Sequence, residues 1–583
     1  MKTTEHLLEE FPAASTAEWE AVIARDLKGS DYEKKLIWRS EDGLTVKPYY
    51  RAADLKNLAC LDSAPGEFPY RRGTRTTGGW QIRELIDAAI PEDTNLAARA
   101  AVVAGADAIS FSKALPRSAA DLDVLLADLG EIPIHFERAD ERLILQLCER
   151  LAERRSGTVI STGYDALANT VFTATVIKKL PAGFVPFTID AVEFEESGAT
   201  AVEEIGLALA AGVDFLAAIQ ERGIDADRAA ASIEYAFAIG SDYFFQIAKL
   251  RAFRMVWARV AERFGATAAG ARARIAARPS RWNKTAYDPY VNALRATTEA
   301  MAAILGGADA VTVEAFDSCY KEPDEASRRL ARNTQLLLRH EAWLGQIADP
   351  AGGSYYVEAM TDLLAQEGWK KMQEVEGHGG YRAAQTDGFV AETLARSLAA
   401  REAAATQRRR VFIGSNQFAN PAERALERAD KQRLKRMRRA TRPYEDLRLR
   451  TERYLAAGGR MPRILLAEIG DAKMRTARAG FAANFFACSG LATETKRFKR
   501  SEEIAAEECD MIVLCSSDAE YGPLAAELLP QMRVHDRSTL VIVAGNPDNA
   551  GDLAAMGIAD FVHLRSHPVE TLTKWQMRLG IED

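Results

Sequence analysis

The sequence has few of the residues that build disulfide frameworks, metal centres or membrane spans. Its 583 residues include six cysteines and seven histidines. The cysteines are scattered without Cys-x-x-Cys spacing, so we expect reduced, mostly buried thiols and no zinc or other metal site. No run of about eighteen apolar residues occurs, which argues against a membrane-spanning helix. The first twelve residues, MKTTEHLLEEFP, are acidic and lack an apolar segment, so no secretory signal is predicted and the cytoplasm is the expected location.

An excess of positive charge is also missing. The formal net charge is −8, with 75 lysines and arginines against 83 acids, and this balance does not favour nucleic acid or an anionic membrane as a partner. One basic segment, KQRLKRMRR at residues 431–439, has no aromatic residues between its charges and is not typical of a nucleic-acid site. We expect its side chains either to be solvated and paired with nearby acids, or to contact another domain or subunit.

What the sequence does contain is a long alternation of short apolar segments with amphipathic stretches. A hydrophobic fraction of 48% with 27% charged residues is typical of a globular protein with a large core. Eight strands separated by helices predict an α/β fold whose domain at residues 71–400 is a (β/α)8 TIM barrel. Helices are predicted at 118–129, 140–153 and 200–220, the first two with Ser118 and Asp140 as N-caps. The predicted strands are WQIREL, DAISFS, IPIHFE, GTVIST, FVPFTID, ASIEYAF, ARARIAA and DAVTVEAF.

A second α/β domain is predicted at residues 462–583, after a basic helical linker at 401–461. Its apolar segments RILLAEIG, CDMIVLCSS, STLVIVAGN and ADFVHL predict four strands separated by helices. This pattern predicts an open, doubly wound sheet of flavodoxin type. Ligands of such sheets bind at the carboxyl ends of the strands, so the candidate loops are 470–473, 516–520 and 545–548.

The first 70 residues are predicted to form an N-terminal arm. A helix around 16–27 and a short strand at 44–50 are indicated, together with the aromatic residues Tyr32, Trp38 and Tyr49. Aromatic side chains on a non-globular arm need a surface to cover them. That surface belongs either to a partner subunit or to the chain's own barrel.

Four dense blocks between residues 238 and 356 resemble a known enzyme family: AIGSDYFFQIAKLRAFRMVWAR, DPYVNALRATTEAMAAILGGADAVTVEAFD, ARNTQLLLRHEAWLGQIADP and AGGSYY. They are similar to acyl-CoA mutases that use adenosylcobalamin, most closely methylmalonyl-CoA mutase, and the likeness covers most of the chain. The resemblance implies a TIM barrel followed by a flavodoxin-like, cobalamin-binding domain. It also implies a coenzyme A pantetheine threaded along the barrel axis and a cobalamin held against the barrel's mouth. In such enzymes the cofactor supplies the radical chemistry and the protein supplies orientation and a dry cavity.

Two residues that the resemblance assigns to catalysis are replaced in the barrel. The tyrosine that follows Ile-Arg in the family's TIRQY corresponds to Leu85 in QIREL, and leucine cannot donate a hydrogen bond as a phenol does. The general-acid histidine of SGYHIREAGA corresponds to Glu193 in DAVEFEESGA. An ionised carboxylate is only an acceptor and would repel a polarised thioester oxygen. A buried, protonated Glu193 that donates is the alternative.

The cobalt-ligating loop is altered too. In the family, Asp-x-His-x-x-Gly follows the first strand of the flavodoxin-like domain, and its histidine replaces the cofactor's own base. Here the loop has Asp471, but Lys473 stands at the histidine position and Met474 follows. The C-terminal domain's histidines, His535, His563 and His567, are predicted to lie too far along the fold to serve this loop. We therefore expect no cobalamin in this chain.

These replacements predict the non-catalytic small subunit of a heterodimeric mutase, whose large subunit binds adenosylcobalamin and acyl-CoA. The arm and the basic segment are the candidate contacts with that partner. Two alternatives are an active acyl-CoA mutase with an altered substrate and cofactor site, and a cobalamin-related scaffold protein without a mutase partner.

One further polar segment of the barrel is not assigned to catalysis. The run at 332–335 is expected to satisfy backbone groups at the start of a helix.

Overall fold

The computed structural model describes residues 14–113, 115–153, 159–425, 427, 429–534 and 539–582. The first thirteen residues of the predicted arm and His535 lie outside these ranges. Among the described residues, no helix combines the length and apolarity needed to cross a membrane. The cysteines are free, and each is buried or half-buried, namely Cys60, Cys148, Cys319, Cys488, Cys509 and Cys515.

The arm is built of short elements that lie against the barrel. Its predicted helix is present, whereas the predicted strand at 44–50 is reduced to a two-residue partner in a small antiparallel hairpin. The side chain of Ser15 caps the first helix by accepting a hydrogen bond from the backbone of Glu18. The elements are α1 (Thr16–Asp26), α2 (Tyr32–Leu36), β1 (Trp38–Arg39), β2 (Thr45–Val46) and a 3₁₀ helix (Ala52–Leu55).

All eight predicted barrel strands are present, and they close into a parallel barrel in chain order. The first and last strands pair with each other, as closure requires. The prediction of a TIM barrel is therefore confirmed. The strands are β3 (Gln81–Ile86), β4 (Ala108–Phe111), β5 (Ile134–Phe136), β6 (Ile160–Asp165), β7 (Phe184–Asp190), β8 (Ile233–Ile239), β9 (Ile275–Pro279) and β10 (Ala310–Val311).

Helices surround the barrel, and their starts follow local capping rules. Ser118 and Thr200 each accept a backbone hydrogen bond at the start of a predicted helix, and the Asp140 carboxylate accepts one from Leu143. The helices are α3 (Pro91–Val103), α4 (Ala119–Leu126), α5 (Glu141–Glu153), α6 (Thr170–Lys178), α7 (Ala191–Glu196), α8 (Ala201–Gln220), α9 (Ala226–Ala231), α10 (Tyr243–Arg263), α11 (Val291–Leu305), α12 (Glu325–His340), α13 (Tyr355–Gly377), α14 (Tyr381–Thr386) and α15 (Phe389–Thr406).

One prediction about these helices is wrong about position but right in part about role, since Gln335 does satisfy a buried backbone carbonyl. The polar run 332–335 lies in the middle of α12, not at its start. Arg332 pairs with Glu84 on β3 at 2.8 Å, and Gln335 accepts a hydrogen bond from the Trp80 indole and donates one to the Val311 carbonyl. These polar side chains therefore fasten α12 to the outer wall of the barrel.

The C-terminal domain is a five-stranded parallel sheet rather than the predicted four strands. Its strand order is β12-β11-β13-β14-β15, the order of a flavodoxin-like fold. The overlooked strand is the edge segment TETKR, which is exposed and lacks the apolar run of a buried strand. The elements are β11 (Ile464–Glu468), α18 (Ala472–Ala487), β12 (Thr493–Arg497), α19 (Ser501–Ala505), β13 (Met511–Cys515), α20 (Tyr521–Val534), β14 (Leu540–Ala544), α21 (Ala550–Met556), β15 (Phe561–Val562) and α22 (Pro568–Arg578).

Two linker helices, α16 (Lys431–Arg436) and α17 (Arg442–Ala456), join the two domains. One face of α17 adds Tyr444 and Leu447 to the hydrophobic core of the C-terminal sheet. Its other face is turned to the barrel, where the Tyr287 hydroxyl donates to Glu452 at 2.7 Å and Arg448 stacks on the Tyr287 ring. The helix is therefore a buried joint between the domains.

Candidate functional site

The interior of the barrel is crossed by a buried ion pair. Arg83 on β3 donates two parallel hydrogen bonds, of 3.0 and 3.1 Å, to the carboxylate of Glu234 on β8. Strands β10 and β9 lie between these two strands in the barrel, so the pair spans the interior. Arg274 donates to the same carboxylate at 3.1 Å, and His135 of β5 lies 3.8 Å from it. Three side chains from separate positions around the wall therefore meet at Glu234.

The electrostatics of this cluster favour a charged Glu234 and a neutral imidazole. Burial by itself would raise the pKa of Glu234, but Arg83 and Arg274 outweigh it and hold that pKa far below the ordinary range. Burial, reinforced by Arg83, lowers the pKa of His135. The imidazole Nδ1 of His135 lies 2.8 Å from the hydroxyl of Ser161, and the two groups share a hydrogen bond. This cluster of described residues therefore does not present a charged imidazole that could act as a general acid.

A second layer of ion pairs lies nearer the carboxyl ends of the strands, where TIM barrels carry their active sites. Arg281 donates to Glu314 at 2.6 and 3.0 Å, and Arg278 donates to Glu196 at 3.2 Å. Glu137 accepts a hydrogen bond from the Ser110 hydroxyl at 2.5 Å. The upper interior is thus lined by charged side chains that neutralise one another.

Leu85 and Glu193 both lie at this mouth, but in different cavities. Leu85 lines a cavity of about 140 Å³ between β3, β10 and α12, which we call the mouth cavity. Glu193 lies at the start of α7 and lines a wider cavity of about 530 Å³ with Arg436 of α16. Glu193 is exposed, so the alternative of a buried, protonated carboxyl there is wrong.

The basic segment closes the mouth from the side of the linker. Arg433 pairs with Glu322 and donates to the Ser318 carbonyl at 3.1 Å. Arg439 is buried and pairs with Glu445 at 2.5 Å. Both readings of the segment hold in part, because some of its arginines pair with acids and the segment also fastens the linker to the barrel.

In the C-terminal domain, the loop that corresponds to the family's cobalt-ligating loop is occupied by the protein's own groups. Asp471 caps α18 by accepting a hydrogen bond from the backbone of Met474 at 2.8 Å. The Glu520 carboxylate accepts the N–H of Asp471 at 3.1 and 3.2 Å and the hydroxyl of Ser516 at 2.6 Å. These hydrogen bonds lower the pKa of Glu520 to about 2, with those from the serines strongest. The loop is therefore a closed network around an anionic carboxylate.

These residues do not fit a cobalamin ligand set. Lys473, at the position of the family's histidine, is exposed and carries a positive charge. Gly470 has φ +79°, and a side chain there would collide with the Glu520 carboxylate, so this glycine permits the closed loop. His563 and His567 are engaged elsewhere, since their imidazole nitrogens accept backbone hydrogen bonds from Arg565 and Glu570.

Sequence reasoning missed the two residues that cross the barrel interior. Arg83 and Glu234 lie in the barrel strands QIRELI and IEYAFAI, and a charge at an inward position of a buried strand is the signal that could have found them. Glu520 lies in 516–520, one of the candidate loops at the carboxyl ends of the strands, but the sequence did not show that its carboxylate would accept the N–H of Asp471.

Comparison with known proteins agrees with this architecture. The family model for methylmalonyl-CoA mutase matches residues 39–131 and 157–456. The methylmalonyl-CoA mutase small subunit of Porphyromonas gingivalis is 33% identical, with 100% of both chains covered. That of Streptomyces virginiae is 34% identical over 99% of this chain and 98% of its own. The large subunit from Streptomyces virginiae is 29% identical over 70% of this chain and 62% of its own length.

The relatives covered over nearly their whole length are thus small subunits, whereas the large subunit matches over a smaller share. Together with the barrel and the flavodoxin-like sheet, these matches show that the chain belongs to the methylmalonyl-CoA mutase family of isomerases and is similar over its full length to the small subunits of that enzyme.

Proposed function

We propose that this chain is the non-catalytic small subunit of a heterodimeric methylmalonyl-CoA mutase. Its partner, a large subunit, interconverts methylmalonyl-CoA and succinyl-CoA by an adenosylcobalamin radical mechanism. The small subunit holds neither cofactor nor acyl-CoA and supports the fold of its partner. Streptomyces virginiae supplies both a small-subunit and a large-subunit relative, which is consistent with a two-chain enzyme.

The observation that carries the proposal is the pair of Arg83 and Glu234 across the barrel interior. An enzyme that threads a pantetheine along the axis needs an open interior, and here that space holds a hydrogen-bonded ion pair at 3.0 and 3.1 Å. Separating the pair would leave buried charges uncompensated, at a cost of about 3–5 kcal/mol. Substrate entry along this axis is therefore opposed by the protein's own electrostatics.

The mouth and the C-terminal loop support the same proposal independently. Leu85 offers no hydrogen-bond donor, and the exposed Glu193 is an acceptor at neutral pH. The closed network of Glu520 and Asp471 takes the place of an imidazole ligand. The replaced residues lie in both domains, so a change of substrate specificity alone does not account for them.

The arm is our candidate contact with the large subunit. Trp19 stacks on Tyr49 at 5.1 Å, and Trp38 packs edge-on against Phe245 of α10 at 5.3 Å. The arm thus packs on its own barrel, yet Trp19 and Trp38 remain 47% and 41% exposed. Half-exposed tryptophans on a docked arm are typical anchors for a partner.

The test is reconstitution with the large subunit. The purified chain, the large subunit and their co-expressed complex would each be mixed with adenosylcobalamin, and bound cofactor read from the visible spectrum after gel filtration. We expect no cobalamin on the isolated chain, and a one-to-one complex that binds cobalamin and has mutase activity. Cobalamin bound by the isolated chain would overturn the proposal.

A control variant locates the cofactor within the complex. Alanine at the histidine of the large subunit's Asp-x-His-x-x-Gly motif should remove histidine ligation from the whole complex while leaving the two chains associated. A histidine-ligated spectrum that persists in this complex would place a ligand on the small subunit and favour an active mutase with an altered site. Absence of any complex would favour the scaffold alternative.

A further inference from the structure

The turn of the arm's β1–β2 hairpin inserts two carboxylates into a polar cavity at the carboxyl ends of β8 and β9. Glu41 and Asp42 line this cavity of about 50 Å³, which we call the arm cavity. The Asp42 carboxylate accepts a hydrogen bond of 2.9 Å from the N–H of Val202 in the first turn of α8. Glu41 lies 3.6 Å from Arg401 and 4.0 Å from Arg410. The turn is therefore fastened to the barrel by its two acidic side chains.

The cations of the arm cavity already have carboxylate partners that do not belong to the arm. Three cations line the cavity, and their pairs are Lys249–Glu204 at 2.5 Å, Arg401–Glu195 at 2.7 Å and Arg410–Asp242 at 2.6 Å. The two carboxylates of the arm therefore bring an excess of two negative charges. Like charges in a poorly solvated space repel strongly, so docking of the turn favours the uptake of protons.

The pKa values of the acids in the arm cavity are shifted in the direction that proton uptake requires. Burial raises the pKa of Glu204 to about 7, although Lys249 acts in the opposite direction. Burial also raises the pKa of Glu41 and that of Asp42. The charged groups that face these three carboxyls are Glu195 of α7, Glu203 of α8, Asp242 and Lys249 at the start and in the middle of α10, Arg401 of α15, and Arg410. A turn released into solvent loses the burial that raises these pKa values, so docking and proton binding are linked.

Hydrogen bonding in the arm cavity also favours a proton on Glu204. Three buried oxygens that line the cavity have no donor among the described residues, namely Oε2 of Glu195, Oε1 of Glu204 and Oε1 of Gln246. Each of these residues is more than nine-tenths buried, and a buried acceptor without a donor is costly. Protonation turns one oxygen of a carboxyl from an acceptor into a donor. The polar groups of the wall thus support the same conclusion as the charge balance.

We propose that docking of the hairpin turn on the barrel is controlled by protonation of the arm cavity, with Glu204 as the main proton-binding residue. The turn is held when the cavity has taken up a proton, and it is loosened when all five carboxyls are ionised. The pKa of Glu204 is raised from 4.5 to about 7, so its contribution to docking is complete below pH 4.5 and is lost as the pH rises through about 7. These residues belong to this chain alone, so the inference does not rest on the proposed subunit role.

The amide of Val202 reports directly on the docked turn, because the acceptor of its hydrogen bond is Asp42, 160 positions away. The test is hydrogen exchange of short peptides that contain Val202, measured by mass spectrometry on the full-length chain from pH 6 to pH 8. Rates are corrected for the intrinsic pH dependence of exchange. A carboxyl whose pKa is about 7 when docked and 4.5 when released weakens docking about tenfold over this range, so exchange should rise about tenfold. Corrected exchange that is the same at pH 6 and pH 8 would overturn the proposal.

A variant of Glu204 assigns the effect to this residue. Glu204→Gln imitates the protonated carboxyl, so the corrected exchange at Val202 should change less than about twofold between pH 6 and pH 8. Glu221→Gln is the matched control, because Glu221 is exposed at the end of the same helix and does not line the cavity. This control should retain the tenfold rise. A rise of that size in Glu204→Gln would contradict the role of Glu204.

A variant on the arm side keeps the test decisive if the buried variant fails to fold. Glu41→Gln combined with Asp42→Asn removes the two excess charges from a surface turn and keeps a side-chain oxygen that can accept the N–H of Val202. Exchange at Val202 in this variant at pH 8 should be as slow as that of the wild-type chain at pH 6. Exchange as fast as that of the wild-type chain at pH 8 would show that the excess charge does not loosen the turn.

Discussion

Arg83 and Glu234 join opposite parts of the barrel wall through two hydrogen bonds of 3.0 and 3.1 Å. Both side chains are almost completely buried. Desolvating two charges is expensive, so such a pair is retained only where its geometry is good and its remaining hydrogen bonds are made. Arg274 supplies a further bond to the carboxylate. This buried ion pair explains how a barrel of this family can have side chains across its interior.

Removing one partner of this pair should destabilise the chain strongly. Glu234→Met leaves the guanidinium of Arg83 buried without its carboxylate, so we expect the free energy of unfolding of the barrel to fall by about 3–5 kcal/mol. Urea unfolding at pH 7 measures this. The double variant with Arg83→Met replaces the pair by apolar groups and should recover most of the loss. An equal or greater loss in the double variant would contradict the expectation.

The matched control is an exposed ion pair. Arg259 and Glu262 lie 3.1 Å apart on α10, with both side chains about half exposed. Glu262→Met should change the free energy of unfolding by less than about 1 kcal/mol, because solvent screens such pairs.

The hydrogen bonds around Glu520 should stabilise the C-terminal domain at neutral pH, and this contribution should be lost in acid. The hydrogen bonds to Glu520 lower its pKa from 4.5 in the unfolded chain to about 2 in the folded domain. A depressed carboxyl pKa stabilises the fold at pH values above 4.5, and this contribution is lost as the pH falls from 4.5 towards 2. Glu520→Gln should therefore lower the urea midpoint at pH 7, and its difference from wild type should shrink below pH 4.5.

Glu502→Gln serves as the control for this experiment. Glu502 is exposed in the first turn of α19, and its replacement should leave the pH dependence of the urea midpoint unchanged. A difference between Glu520→Gln and wild type that stays constant from pH 7 to pH 3 would show that the carboxylate's charge is not the cause.

Restoring the missing histidine should not restore cobalamin binding. Lys473→His recreates the Asp-x-His spacing with Asp471, but the Asp471 carboxylate caps α18 and its N–H is held by Glu520. We therefore expect the variant to show no histidine-ligated cobalamin in its visible spectrum after gel filtration. A stoichiometric, histidine-ligated spectrum would mean that the loop opens easily and that Lys473 alone had blocked the cofactor.

Truncating an exposed arm tryptophan should weaken the proposed complex with the large subunit. Trp19 is 47% exposed and rests on Tyr49, so Trp19→Ala removes surface available to a partner without opening the barrel core. Loss of an interface anchor costs about 2 kcal/mol, so the dissociation constant from the large subunit should rise at least about tenfold. Biolayer interferometry measures this dissociation constant.

The control is Trp343→Ala, which removes a 63% exposed tryptophan outside the arm and should leave the dissociation constant unchanged. An equal effect of the two variants would exclude the arm as the contact.

The fold followed closely from the sequence. Apolar segments alternating with amphipathic helices placed all eight barrel strands, because burial on both faces of a parallel strand leaves a nearly continuous apolar run. Residue types at helix starts located the caps Ser118 and Asp140. The edge strand Thr493–Arg497 escaped prediction because none of its residues is buried and three of the five are charged.

The sequence by itself also predicted which catalytic residue types are replaced, since Leu85, Glu193 and Lys473 are aligned with the family's motifs by their neighbours along the chain. Only the tertiary structure decided what fills the vacated sites. Arg83 and Glu234 lie 151 positions apart, and Glu520 follows Asp471 by 49 positions. Their contacts depend on strand order and loop geometry, because hydrogen bonds act over a few ångströms in space and carry no sequence periodicity.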